Sequence, residues 1–256
     1  MNVRHRVALG VVILSALAVG VVLLALGRGP WSAAAQDDPA AAQEDPLAGK
    51  RICVDAGHGG SDPGAVNGDL QEEEINLDVA RYLEQQWSER GATVIMTRTS
   101  SDQTLSSRDR YTKCNEAGAD ILVSVHTNSF SDPTIDGLLL FYFQNEDRVL
   151  AQALHESMWA ALQPTAPEPT TFTDFGTEKN ALGVLLKSGM ASATVEPVMM
   201  SDSGEASRLA TAIADCTEGC RRLEIAQSII DGVDNYFENY AGQSPEGPGR
   251  GRGGGP

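Results

Sequence analysis

The chain has 256 residues and four histidines, and two of these stand where chemistry is usually done. His58 follows the apolar run RICVDA, within VDAGHGGSDPGA, and His126 follows ILVSV. His5 lies in a basic N-terminal segment. His155 lies mid-way along a helical pattern, where a solvated or helix-packing role is expected. One histidine leaving an apolar strand is ordinarily structural. Two, leaving two strands at one sheet edge, favour a metal or catalytic site. A third donor comes from QEEEINL. The helix dipole favours acids in a first turn, which accounts for Glu73 and Glu74. Glu72 stands one turn before Ile75 and Asn76 and so faces inward. His58, Glu72 and His126 make a two-histidine, one-carboxylate set, which zinc accepts while keeping a fourth position for water. The metal lowers the pKa of that water toward about 7, giving a hydroxide that can attack a carbonyl. Glu196 ends the apolar stretch SATVE on the same predicted edge. A carboxylate there is costly without a partner or a task. It is either a general base or one half of a salt bridge to a Lys or Arg. The same ligand types also suit the iron of facial-triad oxygenases, although the alternation of strand and helix argues against their all-β barrels.

The elements that must position these groups follow from periodicity. Strands are expected at 51–55, 93–97, 121–125, 137–143, 183–187 and 192–196, and helices at 74–90, 106–118, 148–162 and 224–240. Ile75, Val79, Leu83 and Trp87 recur every four residues on one helix face. The pattern predicts an α/β fold: a mostly parallel mixed sheet, flanked by helices on both faces, in a single domain. Active sites in such sheets lie where strand C-termini open into loops.

The ends of the chain read differently. Residues 7–26 carry no charge, follow Arg4 and Arg6, and are long enough to span a bilayer. Residues 1–28 are therefore expected to be a signal anchor, or a signal peptide if the small residues of SAAAQ are cleaved. Either way the remainder is exported, held at the outer face of the cytoplasmic membrane or secreted. Residues 29–48 read as a flexible linker, 49–241 as the catalytic domain and 242–256 as a disordered Gly/Pro-rich tail. A net charge of −16 argues against nucleic acid as a partner. Cys216 and Cys220 bracket CTEGC and are either a local disulfide or two free thiols; Cys53 and Cys114 read as small buried apolar residues.

Six separated stretches, VDAGHGGSDPGA, EEEINLDVA, MTR, SSRDR, ADILVSVHTNS and ATVEPV, together resemble the zinc-dependent N-acetylmuramoyl-L-alanine amidases of the type 3 amidase family. The resemblance covers residues 50–240. It implies a peptidoglycan hydrolase that cleaves the amide between muramic acid and the L-alanine of the stem peptide. It implies Zn2+ held by His58, Glu72 and His126, with Glu196 as the catalytic glutamate. Asn76, Arg98, Arg108, Ser124 and Asn128 fall where the family has recurrent polar residues, and are expected to support the site. Pro197 and Val198 stand where the family usually has a glycine-containing turn, and 209–223 looks like an insertion. Some members carry a helix that plugs the metal site; none is expected between Phe143 and Leu185. Any protein activator is left open. A metallopeptidase cutting within the stem peptide, or an inactive wall-binding module, would use the same scaffold.

Overall fold

The computed structural model describes residues 44–242. The apolar run 7–26, most of the linker and the tail beyond 242 lie outside the described residues. Six strands form the main sheet: β1 (Arg51–Ala56), β4 (Thr93–Met96), β5 (Ile121–Val125), β6 (Asp136–Tyr142), β7 (Phe172–Lys179) and β8 (Ala191–Glu196). Their order is β4-β1-β5-β8-β6-β7. The first four run parallel, β6 is antiparallel to β8, and β7 is parallel to β6. A short hairpin, β2 (Val66–Asn67) and β3 (Leu70–Gln71), leads into helix α1 (Glu72–Glu89). The other helices are α2 (Ser107–Glu116), α3 (Asp147–Leu162), α4 (Ser203–Leu209) and α5 (Arg221–Asn235).

Strand alternation sorts side chains between two faces. Ile52, Val54, Ile121, Val123, Val125, Ala193 and Val195 join the main core with the buried stripes of α1, α3 and α5. Ile75, Val79, Leu83 and Trp87 supply the α1 stripe as their spacing predicts. Cys53 and Leu122 point the other way and meet Cys114 of α2 with Val184 and Leu185. Strands covered on both sides read as continuous apolar runs, which is why β1 and β5 are plain in the sequence.

Several expectations need correction. Residues 183–187 are not a strand: the N–H groups of Leu185 and Leu186 donate to the Leu182 carbonyl in a helical turn. The actual edge strand is the polar β7, and an apolar run of four cannot by itself separate strand from turn. Cys53 and Cys114 are not free residues but a disulfide, their Cα atoms 5.7 Å apart across the β1–α2 contact. Cys216 and Cys220 are also bonded. The closing helix begins at Arg221 and its last turn, Tyr236–Tyr240, is π-helical. Helix α4 was not foreseen, although Asp202 caps it by accepting from the N–H groups of Gly204 and Glu205. Among the described residues no helix is long and apolar enough to cross a membrane.

Candidate metal centre

The parallel strands deliver their C-terminal residues to one edge. β1 runs through Ala56 and Gly57 into His58, β5 runs directly into His126, and β8 ends on Glu196. Helix α1 opens beneath them with Glu72 as its first residue. The Glu72 carboxylate lies between the histidines: Oε2 is 3.1 Å from His58 Nε2, and Oε1 is 2.9 Å from His126 Nδ1. One donor atom from each of the three residues falls within 4.8 Å of the others. The imidazoles meet edge to face, centroids 4.8 Å apart.

Local sequence makes this approach possible. A Cβ on Gly57 would lie 2.4 Å from the His126 ring, so only glycine fits there. Glu72 is fixed by the N–H of Ala65 at 2.9 Å, the N–H of Thr127 at 3.2 Å and Asn76 Nδ2 at 3.3 Å. His58 Nδ1 pairs with Asp62 Oδ2 at 2.8 Å, leaving Nε2 to face Glu72. A carboxylate behind a histidine is the usual outer partner of a metal ligand.

The charges are strongly coupled. Burial alone would raise the Glu72 carboxyl, but hydrogen bonds from His126 and His58 outweigh it and hold the pKa far below the usual range. Burial disfavours a charged His58, yet Glu72 and Asp62 push its pKa up to about 9. The same opposition raises His126. For Glu196, burial dominates and lifts the pKa to about 7, against the pull of the His126 charge. Glu196 shares with His58 and His126 a cavity of about 240 Å³, whose apolar wall is Leu105, Leu182 and Val184. The donor set fits a divalent metal: two imidazole nitrogens and a carboxylate, the last already ionised, converge beside an open cavity.

The other predicted residues surround this centre in different ways. Ser124 Oγ donates to Asp55 Oδ2 at 2.7 Å. Asn76 accepts from Thr127 Oγ1 at 3.1 Å through its Oδ1. Asn128 extends the pairing of β5 with β8, its N–H donating to Val198 O and its carbonyl accepting from Met200 N–H. That pairing continues past the buried Pro197, whose missing N–H is not called upon. Arg98 is fully buried and donates to the carbonyls of Ala56, Gly57 and Glu73. Its Nη1 also pairs with Glu73 Oε2 at 3.1 Å, so Glu73 is a buried ion-pair partner and not a residue explained by the helix dipole. Arg108 is exposed on α2. Two residues on, Arg110 turns inward, pairing with Asp55 Oδ1 at 2.8 Å and donating to the carbonyls of Ala56 and His58, each at 2.6 Å. Sequence reasoning missed Arg110, Asp62 and Thr127. A signal existed for the first: Arg110 and Cys114 stand one helical turn apart on the buried stripe of α2. Away from the centre, His155 pairs with Asp174 at 2.7 Å, Glu156 accepts from the Tyr240 hydroxyl, and Glu168 is exposed.

Comparison with known proteins agrees with this architecture. A family model described as N-acetylmuramoyl-L-alanine amidase matches residues 52–235. The chain is 29% identical over 191 residues to the N-acetylmuramoyl-L-alanine amidase LytC of Bacillus subtilis (strain 168), a match covering 75% of this chain and 36% of LytC. The chain thus spans about a third of that relative. It is 28% identical over 217 residues to the germination-specific N-acetylmuramoyl-L-alanine amidase of the same organism, covering 78% of this chain and 84% of the relative. Among solved structures, the amidase AmiC2 of Nostoc punctiforme superposes with a TM-score of 0.64 at 26% identity, covering 74% of this chain and 97% of AmiC2. The family match begins within β1 and ends with α5, enclosing both histidines, Glu72 and Glu196: the chain belongs to the N-acetylmuramoyl-L-alanine amidase family.

Proposed function

We propose that this chain is a peptidoglycan hydrolase that cleaves the amide between N-acetylmuramic acid and the L-alanine of the stem peptide. The observation that carries the reading is the clustering of His58, Glu72 and His126 at the edge of a cavity that both histidines share with Glu196. The three ligands would hold zinc, which when bound supplies a Lewis acid for the scissile carbonyl and a water that ionises near neutral pH. Asp62 fixes the His58 tautomer by accepting from Nδ1. Glu196 takes a proton from the attacking water and returns it to the amide nitrogen as the bond to L-alanine breaks. Its pKa near 7 suits both directions of transfer. The apolar wall of Leu105, Leu182 and Val184 keeps the carboxylate poorly hydrated.

Residues 49–241 form the catalytic domain in this reading. Residues 7–26 insert in the cytoplasmic membrane or are removed, 29–48 act as a tether and 242–256 as a tail. The chain then works outside the membrane, against the wall. Relatives described as probable cell wall amidases support that placement.

The test is mass spectrometry of purified peptidoglycan treated with the zinc-loaded chain, beside Glu196→Ala. Free stem peptides beginning with L-alanine, released only by the unaltered chain, are expected. Fragments cut inside the stem would make the enzyme a metallopeptidase instead. No product from a zinc-loaded chain would turn the reading toward a wall-binding module.

A further inference from the structure

Three successive carbonyls lead into the first histidine, and two arginines take all three. Arg98 donates to those of Ala56 and Gly57, and Arg110 to those of Ala56 and His58. Each arginine brings its own buried carboxylate, Glu73 for Arg98 and Asp55 for Arg110. The segment needs holding. His58 has φ of +60°, the one positive value at a non-glycine residue among the described residues. A left-handed backbone is disfavoured for an L-residue, whose Cβ crowds the following carbonyl. Such conformations persist only where the surroundings over-determine them. Gly59 and Gly60, next in the chain, have φ of +117° and +63° and offer no stiffness of their own.

We propose that Arg110 is a positioning residue of the metal centre: by holding the His58 carbonyl it keeps this ligand's backbone left-handed, and so sets the affinity of the His58, Glu72 and His126 set for its metal. The inference rests on reading that set as a metal site. Freed from Arg110, the 58–59 peptide relaxes and the imidazole swings off Glu72.

The fold makes this role separable from stability. Helix α2 is fastened to β1 twice. The Cys53–Cys114 disulfide lies two residues back along β1 and one turn on along α2 from the Asp55–Arg110 pair. With the disulfide intact, α2 stays docked when Arg110 is changed. Lysine keeps the charge beside Asp55. Its single ammonium cannot reproduce a planar fork that serves Asp55 and two carbonyls at once.

The experiment measures zinc affinity of the full chain by competition with a chromophoric chelator, together with the melting temperature of the metal-free protein. For R110K we expect zinc binding weakened about 10–100-fold, the range for lost outer partners of a ligand, with the metal-free melting temperature nearly unchanged. Zinc binding within about threefold of the parent overturns the inference. Should R110K not fold, R110Q decides by the same two readings, because its amide can reach one acceptor but not Asp55 and two carbonyls at once: affinity within about threefold of the parent overturns the proposal. A parent chain that binds no zinc overturns the metal-site reading itself, whereas a tight-binding parent beside an unimpaired R110K overturns this inference alone.

Discussion

On one face of the sheet, α1, α3 and α5 close over an unbroken apolar layer that runs from Ile52 through Val123 to Val195. On the other face, α2 covers a cluster of six buried residues, and toward the strand ends the apolar residues stop. Asp55, Ser124 and Thr194 lie there in one row across β1, β5 and β8, with Arg110 above them and the cavity alongside. The first face is held by burial. The second replaces apolar side chains with buried polar ones beside the cavity, and is held by the Arg110–Asp55 ion pair, hydrogen bonds from Ser124 and Thr97 to Asp55, and a disulfide. Asp55 illustrates the exchange. Its burial would raise the pKa, but the Arg110 charge and hydrogen bonds from Ser124, Arg110 and Thr97 keep it lowered. The closed face carries most of the apolar burial, while the site draws on both: His58, His126 and Glu196 from the strand ends and Glu72 from the start of α1.

Substitutions on the two faces should separate these contributions. The largest effect is expected from Glu196→Gln: loss of the proton carrier lowers kcat by about 10²–10⁴-fold. Zinc content and melting temperature should hold, as metal analysis and calorimetry would check. On the closed face, Leu83→Ala should cost about 2–5 kcal/mol in denaturant unfolding and leave the zinc affinity of the folded fraction alone. A fall in affinity would show that the faces are coupled. Replacing Cys53 and Cys114 together by alanine should cost about 2–4 kcal/mol, because a loop of 61 residues is freed in the unfolded chain. Turnover per folded molecule should stay close to that of the parent. The mildest test is pH. Glu196 is a base only when ionised, so kcat/KM should fall about tenfold per unit as pH drops below its pKa. That limb lies near pH 7 for the carboxyl in its metal-free surroundings, and a bound dication draws it lower. A profile with no acid limb at any pH where zinc stays bound would remove Glu196 from the proton transfer.

What the sequence disclosed follows the same division. The closed face was legible because apolar spacing of four in α1 and continuous runs in β1 and β5 have few alternative explanations. His58, His126, Glu72 and Glu196 were legible because each interrupts such a pattern at a strand or helix end. The supporting shell was harder. In SSRDR, Arg108 and Arg110 are equivalent until the phase of α2 is known, and only packing turns Arg110 inward. In EEE, all three acids satisfy the helix dipole, and nothing local says that Glu73 meets Arg98 from just beyond β4. Cys53 and Cys114 are 61 residues apart, so their pairing depends on a helix crossing that neither segment encodes. GVLLK failed for another reason: a short apolar run serves a buried turn as well as a strand.

The parallel order of β1, β5 and β8 also governs when the molecule becomes competent. Asp55 and Ser124 touch across 69 residues of chain, and β8 comes a similar distance later. Neighbours so remote in sequence are slow to pair, because long loops must close first. Until β8 docks beside β5, Glu196 has no fixed relation to the histidines. With Glu196 as the proposed proton carrier, competence arrives with a late strand and not by increments, so a half-folded chain would carry every residue of the proposed site and no capacity to cut.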